Sequence, residues 1–111
     1  MAFLQRDIVL VHFPFTDLSA TKLRPAVILS AEAINRTGDF VCVQVTSKLF
    51  NEISFFPLEP SMLEMPLPRT SGIRVHKLFC LNEKLIVHRI SAITSIAFIA
   101  LRKKMDNIVF G

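Results

Sequence analysis

Apolar and polar positions alternate in short bursts along most of this 111-residue chain, and only near its end does the spacing lengthen. Residues 7–13 read DIVLVHF and residues 24–30 read RPAVILS, two runs rich in β-branched side chains that predict strands. Between them FPFTDLSATKL carries Pro14, Asp17, Ser19 and Lys22, so an exposed loop too long for a tight hairpin is expected. A helical turn is expected near residues 31–35, then a turn at Thr37-Gly38-Asp39. Residues 40–46, FVCVQVT, alternate as a third strand. Residues 51–59 are a fourth candidate, which Pro57 confines to an edge or a bend because proline has no amide proton. Residues 59–69 hold Pro60, Pro66 and Pro68 and read as a loop. Residues 72–81 and 84–90 form the last two strands, joined by a hairpin turn at Asn82-Glu83.

From Ser91 onward Ile93, Ile96, Ala97, Ala100 and Leu101 recur at steps of three and four, which predicts a C-terminal helix ending in Arg102, Lys103 and Lys104. Its apolar positions are spread widely enough to face both a sheet and a second subunit, and core packing accounts for them equally well. Five or six short strands followed by one helix leave no crossover helices for a parallel sheet. The expected fold is therefore mainly β with a C-terminal helix, a small antiparallel barrel forming one domain over residues 1–111. No internal repeat, glycine-rich phosphate loop or interdomain linker interrupts it.

Composition narrows the picture. An apolar fraction of 51% against 20% charged residues supplies the core area that disordered segments lack. The longest uncharged stretch near the C-terminus, residues 90–101, is shorter than the ~20 residues of a membrane-spanning helix. The opening MAFLQRD has neither the basic nor the apolar region of a secretory signal, so the expected setting is the cytoplasm, away from membranes. Cys42 and Cys80 stand far apart in apolar runs without histidine partners at metal-ligand spacing, and read as two buried free thiols. No cofactor is expected. Thirteen Lys and Arg against nine Asp and Glu give a net charge of +4, a mild bias toward a polyanionic partner.

RNA carries its own nucleophile, the 2′-hydroxyl, so cations and hydroxyls suffice to cleave it, with a general acid and base to assist. Lys22 and Arg24 stand at the mouth of the second strand, where either could face a phosphate or simply lie in solvent. Thr46-Ser47 ends the third strand, where hydroxyls could bond a phosphate oxygen or satisfy a turn amide. Arg74 and His76, two apart on a predicted strand, share a face and pair a cation with a titratable ring. His12 and His88 fall inside strand-like runs and are left outside the site. Ten phenylalanines mostly fill the core, although Phe13 and Phe15 flank the first loop and could stack on bases.

The block DIVLVHFPFTDLSATKLRPAVILS, then QVTS, then SGIRVHKLFCL and a final helix resembles the MazF/PemK family of toxin–antitoxin toxins, through nearly the whole chain. The resemblance implies an SH3-like barrel, a homodimer, a cognate antitoxin protein as partner, and a metal-independent endoribonuclease that cuts single-stranded RNA at short sequences. Carried over by motif, Arg24 of the RP pair and Thr46 of the TS pair are the catalytic positions. Some relatives use an Arg-x-Asp element on a later strand, and its counterparts here are Arg74 and His76, with imidazole in place of the acid. Phe15, Lys22, Ser47 and Lys48 are the expected RNA-binding residues. Beyond Asp17, the loop DLSATKLRP lacks the acidic residue that many members place there. A member that binds RNA or a protein target such as gyrase without catalysis is the alternative.

Overall fold

The structure, a computed structural model, describes residues 3–14 and 21–111. Six strands make one antiparallel sheet: β1 (Asp7–Pro14), β2 (Thr21–Ile28), β3 (Asp39–Thr46), β4 (Phe55–Leu58), β5 (Ser71–Asn82) and β6 (Ile86–Ala92). They lie in the order β4-β5-β3-β2-β1-β6. A short helix, α1 (Glu32–Asn35), joins β2 to β3, and α2 (Ser95–Ile108) follows β6. Mainly antiparallel β with a C-terminal helix is the class the sequence predicts. The barrel, however, is open. β4 and β6 are its two edges, and beyond them one isolated bridge, Leu63 to Ile93, runs outside the strands. Pro57 sits in β4 opposite Gly72, which fits an edge strand that needs no second ladder.

Three connections differ from the sequence reading. β1 and β2 stay paired as far as Pro14 and Thr21, so the expected loop is shorter than FPFTDLSATKL, and residues 15–20 lie outside the described residues. Phe13 helps to hold the strand that far, since its ring meets Phe79 edge-on at 5.2 Å. β5 and β6 are not hairpin partners. β5 pairs with β3 and β4, whereas β6 pairs with β1, and the chain crosses between them through a 3₁₀ turn at Glu83–Leu85. Asn82 starts that turn by accepting a 3.0 Å hydrogen bond from the Lys84 amide. Finally, Ser91 and Ala92 are strand residues opposite Ile8 and Asp7. The helix begins only after Thr94, whose hydroxyl accepts from the Ala97 amide at 3.2 Å as an N-cap.

Both faces of the sheet are covered. Ile8, Val27, Val43, Val45 and Ile73 pack with Ala97, Phe98, Leu101 and Met105 of α2. Their sequence neighbours Val9, Ala26, Ile28 and Cys42, pointing the other way, form a second cluster with Phe40 and Leu81. This two-sided burial explains why β1 and β2 read as nearly continuous apolar runs. Cys42 is buried as expected, and desolvation pushes its thiol up to about 12. Cys80 is exposed instead, because it pairs with Val41, one position out of step with Cys42, and so faces the opposite side. Among the described residues no helix is long and apolar enough to cross a membrane.

Candidate functional site

At one end of the sheet β2 begins, β3 ends and β5 begins. Thr46 pairs directly with Gly72, which sets the start of β5 beside the Thr46-Ser47 pair. On the other side the β2–β3 register ends with Ala26 opposite Gln44, two residues short of Arg24 and Thr46, so both stand at this end of the strand pair. Pro25 supports this placement, because the residue before a proline is held extended. The RP and TS pairs, 22 positions apart in sequence, thus stand at the same end of the sheet.

A cavity of about 610 Å³ opens where they meet, lined by Lys22, Arg24, Thr46, Ser47, Arg69 and Ser71 over apolar walls that include Leu10, Val45, Leu67 and Ile90. Among its described lining residues there are three cations and three hydroxyls, with no carboxylate and no histidine. Thr46 is oriented by its own turn: its Oγ1 accepts a 3.1 Å hydrogen bond from the Lys48 amide, which leaves the hydroxyl proton to donate. The turn role and the phosphate role of this side chain are therefore compatible. Ser71 donates to the Arg69 carbonyl at 2.9 Å and fixes the approach of that segment to β5. The lining attracts anions, and its hydroxyl and guanidinium donors match phosphate oxygens.

Arg24, Thr46, Ser47 and Lys22 come together there, but Arg74, His76 and Lys48 do not line the cavity. The Arg74 guanidinium donates to Glu52 Oε1 at 3.0 Å and lies 4.0 Å from the centroid of the Phe50 ring. Its Nε is buried without a hydrogen-bond partner. Arg74 and His76 alternate with Ile73 and Val75, which both point into the main core, so the two share the opposite face of β5 as expected, ahead of a bulge. The register steps from Val45↔Ile73 to Val43↔Leu78, so five residues of β5 span two of β3. Arg74 is left half-buried and His76 exposed. The Lys48 amino group stands 5.3 Å from the Phe50 centroid. Phe15 lies outside the described residues. His12 and His88 are exposed and do not line the cavity.

Sequence reasoning missed Arg69 and the Pro66–Pro68 wall, which read only as a proline-rich loop. The signal was available in outline: a strand starting at Gly72 and pairing beside Thr46 must bring the residues before it to the same place. Which strand pairs with β3 could not be read from alternation alone.

Fold and cavity together define a small antiparallel β protein with an anion-attracting cleft at one sheet end. The chain belongs to the PemK-like, MazF-like toxin family of type II toxin–antitoxin systems, whose family model matches residues 4–109. Solved structures of the same fold include an endoribonuclease in complex with its cognate antitoxin from a mycobacterial species. That chain has 17% identity and a TM-score of 0.80, over 98% of this chain and 96% of that one. A MazE–MazF structure from Deinococcus radiodurans aligns at 16% identity and a TM-score of 0.79, covering 99% and 97% of the two chains. The Mycobacterium tuberculosis toxin MazF-mt6 follows at 16% identity and 0.73, covering 92% and 94%. Among curated proteins, none matches this chain.

Proposed function

We propose that this chain is a toxin endoribonuclease that cuts single-stranded RNA at short sequences through attack of the 2′-hydroxyl, without a metal ion, as a homodimer held in check by a cognate antitoxin. The observation that carries this reading is the convergence of Arg24, Lys22, Thr46, Ser47 and Arg69 on one cavity. In the reaction the 2′-oxygen bonds to phosphorus as the bond to the 5′-oxygen breaks, leaving a cyclic phosphate and a free 5′-hydroxyl. Negative charge gathers on the non-bridging oxygens. Arg24 is placed to neutralise it, and Thr46 to donate its hydroxyl proton as a hydrogen bond. Lys22, Ser47 and Arg69 would hold the flanking backbone. Arginine stays protonated, so it serves poorly as the base. In this reading the 2′-proton leaves to water in the open cavity, and water returns one to the 5′-oxygen.

The same cations and hydroxyls also suit a second reading, in which the cleft binds RNA without cutting it. Support for the antitoxin partner comes from the family, which is one of paired toxins and antitoxins. The test incubates the purified protein with a long single-stranded RNA in EDTA and maps the 5′ ends. Discrete EDTA-resistant cuts that disappear in both Arg24→Ala and Thr46→Ala support the nuclease. RNA that binds but stays intact selects the second reading.

A further inference from the structure

Next to the cationic cavity lies a second groove of about 450 Å³, and the two share Pro66, Leu67, Arg69 and Ser71 as a common wall. Leu49, Phe50 and Phe55 line the second groove, only a few residues along the chain from Thr46-Ser47. Phe50 has three neighbours around its ring, of which the Lys48 amino group stands 5.3 Å from the centroid. The Phe55 ring lies 6.1 Å away at 52°, and the Arg74 guanidinium stacks at 4.0 Å while paired with Glu52 at 3.0 Å. Leu49 is 61% exposed and Ile53 is 71% exposed, so this end of the molecule keeps apolar surface in water beside cations. An aromatic platform fixed in advance costs little ordering when a ligand meets it.

A groove with an aromatic and aliphatic lining, continuous with a cationic cavity through Arg69, suits a flat heterocycle attached to a phosphate. A bare anion would not use the apolar walls, and a purely apolar segment would not use Arg69. We infer that this groove receives the base of the nucleotide next to the cleaved phosphodiester, with Phe50 as its stacking platform. This inference rests on the ribonuclease reading of the neighbouring cavity. Every base has a π face, so stacking on Phe50 gives affinity to that nucleotide, and the groove walls restrict which bases enter. The Arg74–Glu52 pair is then a positioning device for Phe50, not part of the chemistry.

The experiment uses a single-stranded RNA oligonucleotide carrying one mapped cut site, and two copies in which the base on one or the other side of the cut is removed with its ribose left intact. Wild type should lose about ten-fold in KM on one abasic copy, with kcat within about two-fold. Phe50→Ala should show the same loss on the intact oligonucleotide and no further loss on that abasic copy. Phe50→Leu keeps the apolar volume without the π face and gives the same pattern in smaller measure, which covers the case in which Phe50→Ala does not fold. Equal cleavage of all three oligonucleotides by wild type overturns the inference. So does a Phe50 variant that still loses about ten-fold on removal of that base. RNA that wild type does not cut at all overturns the nuclease reading as well, whereas base-insensitive cutting that depends on Arg24 leaves it standing.

Discussion

Arg24 and Arg74 both lie on strands near the end of the same sheet, and both match arginine positions of the family motifs, yet their surroundings differ. Arg24 opens onto a cavity whose described lining adds Lys22 and Arg69 and three hydroxyls without any carboxylate. Arg74 lies in a closed cluster, with Glu52 at 3.0 Å and the Phe50 ring against its plane. Cations gathered around a cavity attract an anion to it. A guanidinium already matched by a carboxylate and an aromatic face is settled within the fold. The contrast teaches that the setting of a cation, whether it lines an open cavity with other cations and hydroxyls or is packed against a ring and a carboxylate, says more than residue type or strand position.

Substitutions can break this contrast, and after Arg24 itself the largest effect is expected at Thr46. Thr46→Val removes the donor while keeping the side chain's shape, and cleavage should fall by about 10² in single-turnover assays. Glu52→Gln, acting on the other cluster, should change the rate by less than about three-fold. A smaller effect concerns salt. Each phosphate contact contributes about 0.7 to the slope of log affinity against log salt for a single strand. Arg69→Ala should lower that slope by about this amount in titrations with an uncleavable oligonucleotide, and Arg74→Ala should leave it unchanged. An equal change for both would erase the distinction between the two regions.

Gly72 joins the two regions and offers the smallest, purely structural probe. It pairs with Thr46 on one side, and a Cβ at this position would lie 2.1 Å from the Phe55 ring, which crosses directly above it. Gly72→Ala must push Phe55 aside, and the expected loss is about 1–3 kcal/mol of stability in denaturant titrations. A variant as stable as wild type would show that Phe55 can move without cost.

The extent of the fold legible in the sequence follows from which interactions are local. Strands β1 to β3 were readable because their apolar alternation reports burial directly, and the TS pair marked the end of β3, whereas the RP pair, expected at the mouth of β2, lies inside a strand that begins at Thr21. Pro57 correctly predicted an edge strand. The pairing of β6 with β1 in place of β5 was hidden, because partner choice is a long-range property that alternation does not encode. The start of α2 was placed too early because Ile93 fits a helical spacing, although in the structure it is a buried bridge residue ahead of the Thr94 cap. The two-residue rule that linked Arg74 to His76 held, but alternation gave no sign that this face of β5 lies away from the cavity. Of the site, Arg24 and Thr46 were legible from motif and strand ends, and Arg69 was not, since only the tertiary fold brings the proline-rich wall against the cavity.

The measurement that bears most directly on the account compares Arg24→Ala with Arg74→Ala on the same single-stranded RNA, in EDTA, with both variants shown to be folded by their thermal transitions. Arg24→Ala should lose about 10²- to 10³-fold in cleavage rate and Arg74→Ala less than about three-fold. Equal losses, or a greater loss for Arg74→Ala, would contradict the assignment of the cavity around Arg24 as the site of cleavage.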